Sequence, residues 1–130
     1  MILRTFIGTA ALLAVAALVA QPAPPTVPLG LKTKDVMGRA LICDIGNAVY
    51  DVVIGSDTTF YWKDHKTGHE EHDRLRKVDI DDHSALLGWV ENDSTFVSMF
   101  IDTQAGTAHA VYFNKDRKVG SFNGNLELGK

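Results

Sequence analysis

The clearest pattern in the sequence is a series of short apolar runs separated by turn residues at nearly even spacing. Such spacing is typical of an all-β sandwich or barrel. No window after residue 34 repeats with a helical period over ten or more residues, which disfavours a βαβ fold. Eight runs are predicted to be strands: Gly38–Ile45, Ala48–Ile54, Thr58–Lys63, Leu75–Ile80, Ala85–Glu91, Thr95–Asp102, Thr107–Phe113 and Val119–Leu128.

The connections between these runs have the composition of tight hairpin turns. Residues 55–57, 92–94, 104–106 and 114–117 are rich in Gly, Asn, Asp and Ser, so successive strands are expected to be antiparallel neighbours. Closure of such a meander removes its exposed edges. We therefore predict a small antiparallel up-and-down β-barrel of about eight strands, with room for a small ligand. An open half-barrel or a sandwich is the alternative.

The first twenty residues have the layout of a secretory signal peptide. Arg4 precedes an uncharged, mostly apolar run that ends at Ala20, which is shorter than the roughly 20 apolar residues of a membrane-spanning helix. Cleavage is expected after Ala17 or Ala20, and an uncleaved membrane tether is the alternative. The predicted location is therefore the periplasm or the medium, and membrane association is expected only if this segment stays uncleaved.

All four prolines lie in residues 21–34, which are predicted to form a linker, so the barrel domain is assigned to residues 35–130. Removal of residues 1–20 changes the net charge from −3 to −4 because Arg4 leaves with no acid. This charge predicts no nucleic-acid partner. The lone cysteine, Cys43, cannot form an internal disulfide and is expected to be a buried, inert thiol.

Aromatic and polar side chains on several predicted strands are the candidates for a ligand cavity. A lumen with Trp, Tyr and His and few charges is the usual composition of a small-molecule site. A filled core, with these aromatics as packing, is the alternative, because one sequence does not say which strand face is the lumen. The candidate ligand-binding residues are Tyr50, Trp62, Trp89, His109 and Phe113.

Residues 63–83 are mostly charged and contain four of the five histidines. His65, His69 and His72 have the chemistry of zinc ligands, but their spacing would align them on one face only in a helix. Gly68 and the lack of an apolar stripe predict a loop instead. The segment is therefore interpreted as a solvated connection, with no metal and no cofactor expected.

The chain carries no phosphate-binding glycine loop, CxxC pair, Ser-His-Asp spacing or dinucleotide fingerprint. One stretch, Leu86–Asp102 followed by Ala105-Gly106-Thr107, resembles the central signature of the MoaF-like proteins. In that family a Ser-Trp-x-Glu strand leads through a turn into a Thr-Val-Ser/Thr strand, an Asp and an Ala-Gly turn. The wider group is similar to the calycins, which include the lipocalins and the bacterial phenolic acid decarboxylases.

This resemblance implies a lipocalin-like barrel with a central cavity, and two candidate catalytic positions. Glu91 falls at the catalytic Glu of the decarboxylases, and Lys63 falls at their arginine. Their substrate-orienting tyrosine pair has no counterpart in Ala40–Asp44.

Three functions are compatible with these observations. The first is an exported barrel that binds a small aromatic or amphipathic molecule without transforming it. The second is an enzyme that uses Glu91 as general acid or base on a small aromatic acid, helped by Lys63 or His109. The third is a non-catalytic envelope module that engages another protein through an edge strand or the charged loop. The expected partner is a small-molecule ligand, and a homodimer is left open.

Overall fold

The structure is a computed structural model that describes residues 28–130. The predicted signal peptide and the first half of the predicted linker, residues 21–27, lie outside the described residues. Within residues 28–130, no helix has the length and apolar character needed to cross a membrane.

Eight antiparallel strands follow one helical turn, α1, and each strand pairs with its neighbours in the chain. Pairing of β1 with β8, through Leu41 opposite Leu128 and Cys43 opposite Leu126, closes the sheet. The predicted closed up-and-down barrel is therefore confirmed, and the half-barrel and sandwich alternatives are wrong. The elements are α1 (Thr33–Val36), β1 (Ala40–Asp44), β2 (Val49–Ile54), β3 (Thr59–Asp64), β4 (Glu70–Asp79), β5 (Ser84–Val90), β6 (Phe96–Asp102), β7 (Thr107–Phe113) and β8 (Val119–Leu128).

Turn chemistry fixes the register of the hairpins, as the β6–β7 connection shows. The Asp102 carboxylate accepts hydrogen bonds from the backbone N–H groups of Gln104 and Ala105, at 3.0 and 2.9 Å. Gly106 then adopts a φ of +75°, where a Cβ atom would lie 3.0 Å from the Leu126 carbonyl oxygen. The predicted turn at residues 104–106 is thus the one that the chain forms.

The interior is filled by aliphatic side chains in its lower half, the end that contains the β2–β3, β4–β5 and β6–β7 turns. Leu41, Leu75, Leu87 and Ile101 are at most 1% exposed. Val97, Met99 and Ile101 of β6 all point inward and are buried, as the uniformly apolar face of that strand predicts. This half is a packed core that supplies the hydrophobic stabilisation of the domain.

The N-terminal segment from Leu29 to Met37 covers the lower end of the barrel. Val36 is fully buried, and Leu29, Leu31 and Met37 pack against the core. Backbone hydrogen bonds hold the segment: Gly30 N donates to Gln104 O at 2.9 Å and Thr33 N donates to Asp82 O at 2.8 Å. We call this segment the floor. The barrel is therefore a cup, closed below and open at the end that carries the four other turns.

None of the eight described strands has an unpaired edge, because each hydrogen-bonds with two neighbours. The predicted alternative of an interaction through an edge strand therefore has no free strand to use in this part of the chain.

The outer surface of β4–β8 and the β4–β5 turn carries large apolar side chains. The exposed apolar residues are Val78, Ile80, Leu86, Val90, Phe96, Phe100, Val111, Phe113 and Val119.

One element differs from its prediction. Strand β4 begins at Glu70 and not at Leu75, so the interpretation of residues 70–74 as part of a solvated loop was wrong. Glu71 and Asp73 alternate with exposed neighbours and share the inward face with Leu75. Acidic side chains on an inward face cost free energy unless they have hydrogen-bond donors, and donors are present, as described next.

Candidate functional site

The upper half of the barrel encloses a cavity of about 470 Å³, within the usual range of small-molecule sites. It opens between the β1–β2, β5–β6 and β7–β8 turns, which contribute Asn47, Thr95 and Asn114 to its rim. Its wall is mainly apolar and aromatic. The lining residues are Cys43, Ile45, Asn47, Ala48, Tyr50, Val52, Phe60, Trp62, Trp89, Glu91, Thr95, Val97, Met99, Tyr112, Asn114, Ser121 and Phe122.

Three of the predicted ligand-binding residues lie together in this wall. Tyr50 of β2 and Trp62 of β3 meet edge to face with ring centroids 5.9 Å apart. Trp89 of β5 stacks at a tilt on Phe60, with centroids 4.4 Å apart. Phe60 was not among the predicted site residues, although it shares a strand face with Trp62.

His109, Phe113 and Lys63 lie on the outer face of the barrel. His109 is exposed on β7, and its Nδ1 lies 2.6 Å from Asn123 Oδ1. Phe113 is 47% exposed. Lys63 alternates with the inward-facing Trp62, so its side chain leaves the sheet on the opposite side. None of the three lines the cavity, because the inward positions are taken on β7 by Ala108, Ala110 and Tyr112 and on β3 by Phe60 and Trp62.

Glu91 lies at the rim, immediately after β5. Burial is the main cause that raises the pKa of its carboxyl to about 7, and the negative charges of Glu71, Asp93 and Asp73 contribute to that rise. The Trp89 indole N–H donates to Glu91 Oε2 at 3.4 Å and opposes this rise. The carboxyl is therefore a group that changes charge near neutral pH inside a largely apolar cavity.

Two further carboxylates, Glu71 and Asp73 of β4, lie behind the cavity wall. The Trp62 indole N–H donates to Asp73 Oδ2 at 2.9 Å, and the Asn92 backbone N–H donates to Glu71 Oε1 at 2.7 Å. Burial raises the pKa of Asp73, and the hydrogen bond from Trp62 acts in the opposite direction. Leu75 of β4 pairs with Trp89 of β5. If this antiparallel register is continued by two residues toward the open end of the barrel, Asp73 lies opposite Glu91.

Sequence reasoning missed Glu71 and Asp73 because acidic residues in a charged stretch usually mark a solvated segment. The available signal was parity: both positions are an even number of residues from Leu75, the first apolar residue of the predicted strand. Extending that strand toward the N-terminus would have placed both carboxylates on its inner face.

The three candidate histidines diverge. His65 Nε2 lies 2.8 Å from Asp51 Oδ1, and the His72 ring packs against Tyr61 with centroids 4.8 Å apart. His69 lies over the rim, with Nε2 2.7 Å from Glu71 Oε2. Among residues 28–130, no group of three or more His, Cys, Asp or Glu side chains is arranged to hold a metal ion.

Cys43 lines the cavity as a neutral thiol. Burial is the main cause that raises its pKa to about 12, and the charge of Asp44 adds to the effect. A thiol with so high a pKa has almost no thiolate at neutral pH and is a poor nucleophile. Its role in the wall is that of a small apolar side chain.

Tyr112, at the upper end of β7, was not among the predicted site residues. Its ring lies directly over Gly120 of β8, where a Cβ atom would be only 2.2 Å from the phenol oxygen. The lack of a side chain at Gly120 thus leaves room for an aromatic ring at the rim. A glycine opposite a tyrosine in a hairpin is the sequence signal that was available for this contact.

No protein-family model and no curated protein sequence matches the chain. The fold is similar to that of a solved structure from Burkholderia vietnamiensis described as a "putative beta-lactamase". The TM-score is 0.66 at 12% sequence identity, and the match covers 83% of this chain and 100% of the other. At this identity, the similarity establishes that this chain shares the barrel fold of that protein.

Proposed function

We propose that the protein binds one small aromatic or amphipathic molecule in the upper cavity of the barrel and releases it unchanged. The observation that carries the proposal is the cavity of about 470 Å³, lined by Tyr50, Trp62 and Trp89 and open at one end only. A concave, mostly apolar space with a few polar groups at its mouth is the common form of a small-molecule site. The resemblance of Leu86–Asp102 to MoaF-like proteins and the calycins supports the same function.

The proposed place of action is the periplasm or the medium. Support comes from the signal-peptide layout of residues 1–20. Mass spectrometry of the protein recovered from cell fractions tests this proposal. A mature N-terminus after residue 17 or 20 supports export, and an intact Met1 in the cytoplasm contradicts it.

Fluorescence titration with a panel of aromatic and amphipathic compounds tests the binding function, because both tryptophans lie in the cavity wall. We expect a saturable change with one ligand per chain. Val97→Phe adds a ring to the inward face of β6 and should weaken binding at least about tenfold. Val111→Phe is the matched control because Val111 is exposed on the outer face of β7.

Two outcomes would contradict the binding function: a panel in which no compound gives a saturable signal, or a folded Val97→Phe variant that binds as the wild type does. Thermal unfolding of both variants separates loss of binding from loss of the fold.

The pKa of Glu91, about 7, favours a second candidate function, general acid–base catalysis in the cavity. The resemblance to the phenolic acid decarboxylases suggests a small aromatic acid as the substrate. Mass analysis of such acids after incubation with the protein tests it, and Glu91→Gln should then lower the rate about 100-fold or more. Glu127→Gln, on the outer face of β8, is the control. Turnover that is unchanged in Glu91→Gln excludes this function.

A further inference from the structure

The charged side chains in and directly behind the cavity wall are all acidic. Among the described residues that line it, none is Lys, Arg or His, and Glu91 is the only one that carries charge near neutral pH. Glu71 and Asp73 stand behind the wall with side chains that are almost completely buried. Two basic groups, His69 and Lys115, lie outside on the rim: the His69 side chain is 57% exposed, and Lys115 is an exposed residue of the β7–β8 turn whose charge acts on Asp93. A bound molecule therefore meets a negative potential that no lining cation offsets.

The hydrogen bonds to these carboxyl groups favour their charged forms. Each of the two indole N–H groups in the wall donates to one of them, Trp62 to Asp73 and Trp89 to Glu91. Half-buried or buried carboxylates without a cationic partner cost free energy. A cation in the cavity would offset that cost, whereas an anion would increase it.

Aromatic side chains supply a second, independent feature. Tyr50, Trp62 and Tyr112 surround the upper cavity, and Tyr50 is close enough to Glu91 for that charge to raise its pKa. Ring faces attract an organic cation by the cation–π interaction, best of all when the cation carries methyl groups or an apolar body. The apolar lower wall, with Val52, Met99 and Phe60, receives that body.

We propose that the ligand is a small organic cation with an apolar or aromatic body, and that its charge lies beside Glu91 among the aromatic rings at the rim. This inference rests on the proposed binding function and names the ligand class. The negative wall, the aromatic rim and the apolar lower cavity each select one part of such a molecule: its charge, its substituted nitrogen and its body.

Proton release follows from this geometry. The titratable groups that face Glu91 are Glu71 and Asp73 of β4, Asp93 of the β5–β6 turn, Tyr50 of β2 and His69 of the β3–β4 turn. A ligand cation beside Glu91 lowers the pKa of that carboxyl. Binding at pH 7 is therefore accompanied by release of part of a proton, and affinity for the cation rises between pH 6 and pH 8.

The test compares three ligands of similar shape: benzyltrimethylammonium, its uncharged carbon analogue neopentylbenzene, and the anion phenylacetate. The quaternary ammonium has no titratable proton, so any pH dependence belongs to the protein. At pH 8 we expect the cation to bind at least about tenfold more tightly than the neutral analogue, with the ratio smaller at pH 6. Calorimetry in phosphate and in Tris at pH 7 should show proton release with the cation alone.

Glu91→Gln should abolish the preference for the cation, so that benzyltrimethylammonium binds no more tightly than neopentylbenzene. Glu127→Gln, an exposed glutamate on the outer face of β8, should keep the wild-type preference. The inference is overturned if the neutral analogue or phenylacetate binds as tightly as the cation, or if Glu91→Gln retains the preference. If none of the three ligands binds while other uncharged compounds of the panel do, the inference fails and the binding function stands. If no compound of any charge binds, both fail.

Discussion

Glu91 makes the folded state prefer the protonated carboxyl. Its pKa is about 7 in the folded protein against an ordinary value of 4.5. A carboxyl with a raised folded pKa contributes stability at low pH, and the contribution is lost as the pH rises from about 4.5 to about 7. Because the group is only half-buried, the loss is on the order of 1–2 kcal/mol after allowance for solvent screening.

Glu91→Gln removes this titration. We expect the free energy of unfolding of the variant to exceed that of the wild type by that amount at pH 8, and to match it within error at pH 4.5. Urea denaturation at both pH values measures the difference. A variant that is less stable than the wild type at pH 8 would show that the carboxylate is held by favourable contacts and is not strained by burial.

Trp62→Phe tests the hydrogen bond between the indole and Asp73. Loss of the donor leaves a buried carboxylate unsatisfied, which should cost about 1–3 kcal/mol at pH 7.5. The cost should shrink as the pH is lowered, because the pKa of Asp73 is raised and the carboxyl takes up a proton more readily than an ordinary aspartate does. The same substitution in an Asp73→Asn background is the control, because it removes the ring packing without removing a hydrogen bond to a carboxylate. Equal pH dependence in the two backgrounds contradicts this role of Trp62.

At the scale of single elements, β4 and the turn before it form one electrostatic unit. The hydrogen bond with Glu71 is the main cause that raises the pKa of His69, against a smaller lowering by burial. A histidine with a raised folded pKa stabilises the protein fully below its unfolded pKa of 6.5, and that stability is lost as the pH rises through the folded pKa.

His69→Asn should therefore lower the thermal midpoint at pH 5.5 and leave it nearly unchanged at pH 9. The same substitution in a Glu71→Gln background should show no such pH dependence, because the partner of the histidine is gone. Thermal unfolding followed by circular dichroism measures both pairs. A shift of the same size at both pH values would show that His69 acts through packing and not through its charge.

The strands that the sequence predicted well are those whose signals are local. Turn residues at 92–94 and 104–106 and the alternation in β6 depend only on neighbours in the chain, so they survive without knowledge of the fold. The start of β4 was missed because its inner face is acidic. Charged residues usually indicate solvent, and only the indole and backbone donors from other elements make Glu71 and Asp73 acceptable inside.

The site was predicted in part for a related reason. The barrel brings the candidate ligand-binding residues Tyr50, Trp62 and Trp89 and the candidate catalytic residue Glu91 into the wall of one cavity. His109 lies outside this group. Ala108 and Ala110 point inward, opposite large side chains such as Met99, so the alternate residue His109 points outward. Both faces of β7 carry apolar residues, so the sequence of the strand alone does not show which face is the lumen.

At the scale of the whole molecule, closure makes every strand a structural neighbour of two others. A substitution in β8 therefore affects the packing of both β1 and β7. Leu126→Ala removes a buried side chain next to Cys43 and should cost about 2–5 kcal/mol. Val119→Ala, on the same strand but 75% exposed, should change the free energy of unfolding by less than about 0.5 kcal/mol.

Both variants should unfold in one cooperative transition. Tryptophan fluorescence reports the upper cavity and far-ultraviolet circular dichroism reports the whole sheet, so the two midpoints should coincide for each variant. Separate midpoints for Leu126→Ala would mean that the wall of the upper cavity and the packed lower half of the barrel unfold independently.

The floor has a consequence for the shape of the molecules that the protein handles. Because Leu29–Met37 packs across one end, a ligand can reach the cavity only through the opening beside Glu91. A long or polymeric molecule can therefore be bound only at one of its ends, and it cannot pass through the barrel from one end to the other. Any ligand therefore enters and leaves the cavity through the same opening.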